Sequence, residues 1–127
     1  TPINKKVSVA NFLGNLPSGA PIGFSSETVT TDTTLSNTTT ISFIQECQTV
    51  LGDGTVDGQL KIVAATNVDS ACDVDFIDSA GTTATVTFQA VGENISCIFD
   101  GATNKWHIIA FGTTATGTNI VGTQDAT

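Results

Sequence analysis

Apolar and polar positions alternate most clearly between Gly81 and Phe111, and that stretch reads as three consecutive strands. In the first, Thr83–Ala90, the side chains of Ala84, Val86, Phe88 and Ala90 share one face, and Thr83, Thr85, Thr87 and Gln89 share the other. Period-two alternation of this kind marks a sheet with one buried face. Asn94–Asp100 and Lys105–Phe111 follow, joined by V-G-E-N and D-G-A-T-N, which hold the Gly, Asn and Asp that tight turns need. Lys105–Phe111 carries the only Trp, the only His and three further large apolar residues, so it is the expected centre of the core.

Upstream, the same pattern predicts strands with less contrast. A weak strand is expected near Glu27–Thr31, with Asp32–Asn37 as a turn. In Thr39–Glu46, Ile41, Phe43 and Gln45 alternate with Thr40, Ser42 and Ile44. Cys47–Leu51 carries the apolar pattern into a glycine-rich connection, G-D-G-T-V-D-G. Gln59–Ala65 sets Leu60, Ile62 and Ala64 against Lys61, Val63 and Ala65; Cys72–Ile77 sets Cys72, Val74 and Phe76 against Asp73, Asp75 and Ile77. No helix longer than a turn or two is predicted. Six or seven short strands at such intervals predict an all-β domain, a compact antiparallel β-sandwich or β-prism. A β-helix is the minority alternative: Cys47, Cys72 and Cys97 are evenly spaced, but nothing else repeats with them, so the spacing reads as chance.

The ends of the chain differ from its middle. All three prolines, Pro2, Pro17 and Pro21, lie in residues 1–24, which predicts an extended N-terminal arm. A single helical turn near Val9–Leu13 is compatible with it. The arm is nevertheless apolar, through Val7, Val9, Phe12, Leu13, Leu16, Ile22 and Phe24. An extended apolar arm is unfavourable in water unless it docks, either on its own domain or on a neighbouring subunit. These seven are the candidate interface residues. Residues 25–111 are expected to be the β domain, and 112–127 a small, polar, flexible tail.

Composition narrows the function classes. Charged residues are 13% of the chain, about half the usual roughly 25%. Net charge is −8, with Lys5, Lys6, Lys61 and Lys105 the only cations. Nucleic-acid binding, which depends on neutralising phosphates, is not expected, nor is attachment to an anionic membrane. No apolar run approaches the ~20 residues of a membrane span, and the N-terminus does not read as a signal peptide; without a Met, an initiator or leader is expected to have been removed.

Candidate chemistry is sparse. The three cysteines read as buried small hydrophobes of a chain made in a reducing cytosol, with one disulfide and an unpaired third cysteine as the next alternative. A zinc set of Cys47, Cys72, Cys97 and His107 lacks any short-spaced ligand pair. Asp53 and Asp57, and Asp69, Asp73, Asp75 and Asp78, fit no EF-hand loop and read as solvated acidic edges. His107 has no nucleophile partner, so no catalytic residue, cofactor or metal is expected. Trp106 fits a packing anchor better than a sugar platform; Phe88, Phe99, Trp106 and Ile108 are the expected core or anchor residues.

The run from Thr85 to Ile109, T-V-T-F-x-A-V-G-E-x-x-x-x-I-F-D-G-x-x-x-x-W-H-I-I, resembles the C-terminal segment of small bacteriophage virion proteins. These are capsid decoration (cement) proteins and tail-fibre-like modules, often trimeric. The matching pieces are Thr85–Phe88, Ala90–Glu93, Ile95–Phe99, Asp100–Gly101 and Trp106–Ile109, with Gly54–Ile62 upstream. The resemblance implies a non-enzymatic virion structural protein: a decoration protein made in the host cytoplasm that binds and stabilises the phage head as a homotrimer. Its partners would be itself and the major capsid protein or another virion protein. The alternatives are a receptor- or glycan-binding tail-fibre module, or a self-assembling filament subunit that donates a strand.

Overall fold

The computed structural model describes residues 23–78 and 81–113. Over these residues the chain is all-β, with nine strands and no helix. They are β1 (Ser26–Val29), β2 (Thr33–Thr34), β3 (Ile41–Gln45), β4 (Gln48–Leu51), β5 (Leu60–Asn67), β6 (Asp73–Asp78), β7 (Gly81–Thr87), β8 (Asn94–Asp100) and β9 (Lys105–Gly112). Sheet A has the order β1-β3-β5-β8-β9 and sheet B the order β2-β4-β6-β7.

The order shows how the chain is wound. From β1 to β6 it changes sheet at every strand, so each return to a sheet adds a neighbour parallel to the last. A strand can join its neighbour in parallel only after such a crossover, and here the opposite sheet supplies it. Three turns of this coil are closed by antiparallel pairs, β5 with β8, β6 with β7 and β8 with β9. The expected antiparallel sandwich of six or seven strands is therefore corrected to nine strands in two mixed sheets. Period-two alternation is the same in either pairing sense, and Thr33–Thr34, two threonines inside an expected turn, is too short to carry any period.

The coil also changes the meaning of the cysteine spacing. Gln48 pairs with Asp73, so Cys47 and Cys72 precede equivalent positions of successive turns in sheet B. For those two the interval is one turn of the coil, not chance. Cys97 lies on antiparallel β8 and is outside the repeat. All three are buried free thiols, and Cys47 Sγ donates to the Val29 carbonyl (3.5 Å). Burial pushes the Cys97 thiol up to about 12, which leaves it inert as a nucleophile.

The core lies between the sheets. Val29, Ile44, Val63, Ala65, Ile95 and Cys97 meet Leu51, Val74 and Phe76 from the other side. β5 and its neighbours are the centre. β9, expected there, is an edge strand of sheet A; its Trp106 and Ile108 are half-buried against the core while His107 and Ile109 face outward. Phe88 and Phe99 are buried, each 4% exposed. Among the described residues no helix is long and apolar enough to cross a membrane.

Candidate interaction surface

The two outer sheet faces differ in chemistry. With Ser42, Ile44, Lys61, Val63, Ala65, Ile95 and Cys97 turned inward, the alternate residues of β3, β5 and β8 face outward from sheet A. Strand register aligns them in rows: Ile41 beside Ile62 and Ser96, Phe43 beside Ala64 and Asn94, and Leu60 beside Ile98 and His107. The centre of this face holds no charged side chain. Sheet B presents Gln48 beside Asp73 and Thr87, and Val50 beside Asp75 and Thr85. That face is acidic and hydroxylated, as a solvated face should be, and Asp75 accepts a hydrogen bond from the Thr85 hydroxyl across it.

β5 explains why the surface was hard to foresee. Its apolar residues occur on both faces, so neither face stands out as the core side. A strand that is apolar on both faces belongs to a sheet covered on both sides. That is the signal which identifies Ile41, Phe43, Leu60, Ile62, Ala64 and Ile98 as a candidate surface, and none was among the expected interface residues. Of those, Val7, Val9, Phe12, Leu13, Leu16 and Ile22 lie outside the described residues, as do the expected helical turn and the tail beyond Thr113. Phe24 is described and is 68% exposed. It lines a shallow depression of about 310 Å³ with Thr38–Thr40, Thr55, Val56, Gln59 and Leu60. Leu60 belongs to the outer face of sheet A, so the chain enters the domain beside that face.

A polar network closes one end of the interior. Lys61 projects from the inner face of β5 and is fully buried. Its Nζ donates to the carbonyls of Ser36 (2.6 Å) and Thr39 (3.0 Å) and to the Thr39 hydroxyl (3.2 Å), and lies 3.6 Å from Glu27 Oε2. The same carboxylate oxygen accepts from the Ser42 hydroxyl (2.6 Å), the Ser36 amide (2.8 Å) and the Thr39 hydroxyl (3.3 Å). Burial pulls the Lys61 ammonium below its ordinary value, against the opposing pull of Glu27. For Glu27, burial works upward, but the Ser42 hydroxyl, the Ser36 amide, Lys61 and Thr39 together hold the carboxyl below its ordinary range. Every donor and acceptor is matched, and the arrangement ties the 36–40 connection to sheet A. It is a structural plug.

Trp106 sits in an anchoring arrangement at the other side of sheet A. Its indole N–H donates to the Gly52 carbonyl at 2.8 Å, and its ring meets Phe99 at 5.2 Å between centroids, tilted by 58°. The glycine-rich connection packs closely against this pair. A Cβ at Gly54 would lie 2.5 Å from one Phe99 ring carbon and 2.8 Å from another. Gly54→Ala is therefore expected to destabilise by about 1–3 kcal/mol, the usual cost of overpacking, because the buried ring has no free space to yield. Urea denaturation checks this; unchanged stability would show that the connection moves independently of the ring.

The remaining polar candidates have local partners. Asp57 accepts from the Gly101 amide (2.8 Å), joining the glycine-rich connection to the β8–β9 turn. Asp100 accepts from the Ala102 amide, the Thr103 hydroxyl and His107 Nε2, and the Thr103 and His107 contacts lead in holding its carboxyl below the ordinary value. Asp73 accepts from Gln48. Among the described residues no group of three or more His, Cys, Asp or Glu side chains is placed to hold a metal ion. Chemically, the domain offers an apolar sheet face, an aromatic anchor and a sealed ion pair. Comparison of the chain with protein-family models, curated proteins and solved structures finds no match to any of them.

Proposed function

We propose that this chain is a non-enzymatic virion structural protein: a capsid decoration (cement) protein that binds the head of a bacteriophage and stabilises it as a homotrimer. The observation that carries the reading is the contrast between the two outer sheet faces, one acidic and solvated, the other apolar and uncharged at its centre. A module so divided is suited to work within an assembly that keeps the second face from water. The resemblance of residues 52–111 to small virion proteins supplies the kind of assembly. At about 25 cal/mol per Å² of apolar area, even a few hundred Å² buried on attachment would offset much of the cost of association. Threefold placement would add avidity through effective concentration.

A tail-fibre module that stacks sugars would need a free aromatic platform. Trp106 already donates its N–H to Gly52 and packs on Phe99, which favours the anchoring role. The attachment itself is tested by deleting residues 1–24 and measuring co-sedimentation with phage heads. Attachment should be abolished. Undiminished attachment of the shortened chain would remove the arm from the binding surface.

A further inference from the structure

We infer that the N-terminal segment, residues 1–22, is what covers the outer face of sheet A. The place of entry is the first argument. That segment runs through Gly23 into β1, the edge strand of sheet A, and Phe24 at the junction shares a depression with Leu60 of the same outer face. Reach is the second. Five strands spaced about 4.8 Å apart make a sheet roughly 19 Å wide. About six residues of extended chain at roughly 3.3 Å each cross it, so 22 residues are ample.

Chemistry is the third argument. Residues 1–22 hold seven large apolar residues, Ile3, Val7, Val9, Phe12, Leu13, Leu16 and Ile22, and no Asp or Glu. Lys5 and Lys6 give the segment +2, while the rest of the chain has two lysines against 12 acidic residues, or −10; together these make the net −8. The segment is thus an apolar, positively charged strip joined to an acidic domain. The outer face of sheet B, with Asp73 and Asp75 across its middle and Val50 the one apolar residue in those rows, offers it a poorer apolar match.

A thiol placed on the face tests this in the full chain. The native cysteines are at most 1% exposed and do not interfere. Ile98→Cys puts a reporter on the face, where Ile98 is 37% exposed. Its maleimide labelling should be at least tenfold slower than in the same chain also carrying Phe12→Ser, Leu13→Ser and Leu16→Ser. Ser96→Cys, in the next row, is the second reporter if Ile98→Cys unfolds the domain, which thermal unfolding of each variant shows.

Protection that is independent of protein concentration assigns the cover to the chain's own segment; protection that grows with concentration assigns it to the segment of a neighbouring copy. Both support the inference provided the three serine substitutions remove the protection. Equal labelling with and without those substitutions overturns it, whether the face is then open or covered by another surface of a second copy. No capsid enters the measurement, so its failure is separable from failure of the decoration reading.

Discussion

Replacing Lys61 with methionine destabilises the domain by about 3 kcal/mol, because breaking a buried pair leaves an uncompensated charge and orphaned acceptors. The lower end of the usual range applies, since the partner, Glu27, keeps 24% of its side chain exposed. Methionine fills much of the volume of lysine but cannot donate to the carbonyls of Ser36 and Thr39, and the 36–40 connection loses its tie to β5. Chemical denaturation of both proteins at neutral pH measures the difference. A variant as stable as the parent would show that the network contributes register or specificity and no net stability. The pH dependence has a definite sign. Glu27 has its folded value below the ordinary 4.5, so its contribution is complete above that value and is lost as pH falls through the lowered one. Glu27→Gln should flatten that part of the acid limb.

Trp106→Ala is expected to cost about 3 kcal/mol, near the low end for a large aromatic because the ring is only half-buried. The substitution removes the ring contact with Phe99 and leaves the Gly52 carbonyl without its indole donor. A domain of this size should lose on the order of 10 °C in Tm. This outcome also bears on the glycan alternative, which requires Trp106→Ala to abolish sugar binding while leaving stability intact.

Strand positions were far more legible in the chain than pairing or facing. β8 was bounded correctly at both ends, Asn94 and Asp100, because Gly92 in its positive-φ turn and the Asp100–Gly101 turn frame it. β9 is legible to within one residue of its end but not in its place, since a strand rich in large apolar residues can serve an edge that packs one face on the core. Parallel winding left no local mark beyond the interval between Cys47 and Cys72. In β3 the alternation of Ile41 and Phe43 with Ser42 and Ile44 does not say which set faces inward; Ser42 and Ile44 point to the core, with the Ser42 hydroxyl paired to Glu27. In β5 the lone lysine of QLKIVAA is a buried, partnered charge, but only tertiary contacts with Ser36, Thr39 and Glu27 make it so, and the strand itself does not mark them. The outer face of sheet A was hidden by the same strand: with both faces apolar, only the arrangement of the two sheets separates core from candidate surface.

The role proposed for this domain is assembly on a phage head, through surface rather than through chemistry. It is tested most directly by measuring the mass of the purified full chain by light scattering and then imaging heads incubated with it by electron microscopy. A trimeric decoration protein should show a mass three times that of one chain and added density at regular positions on the capsid. A monomer that leaves the heads bare would contradict it.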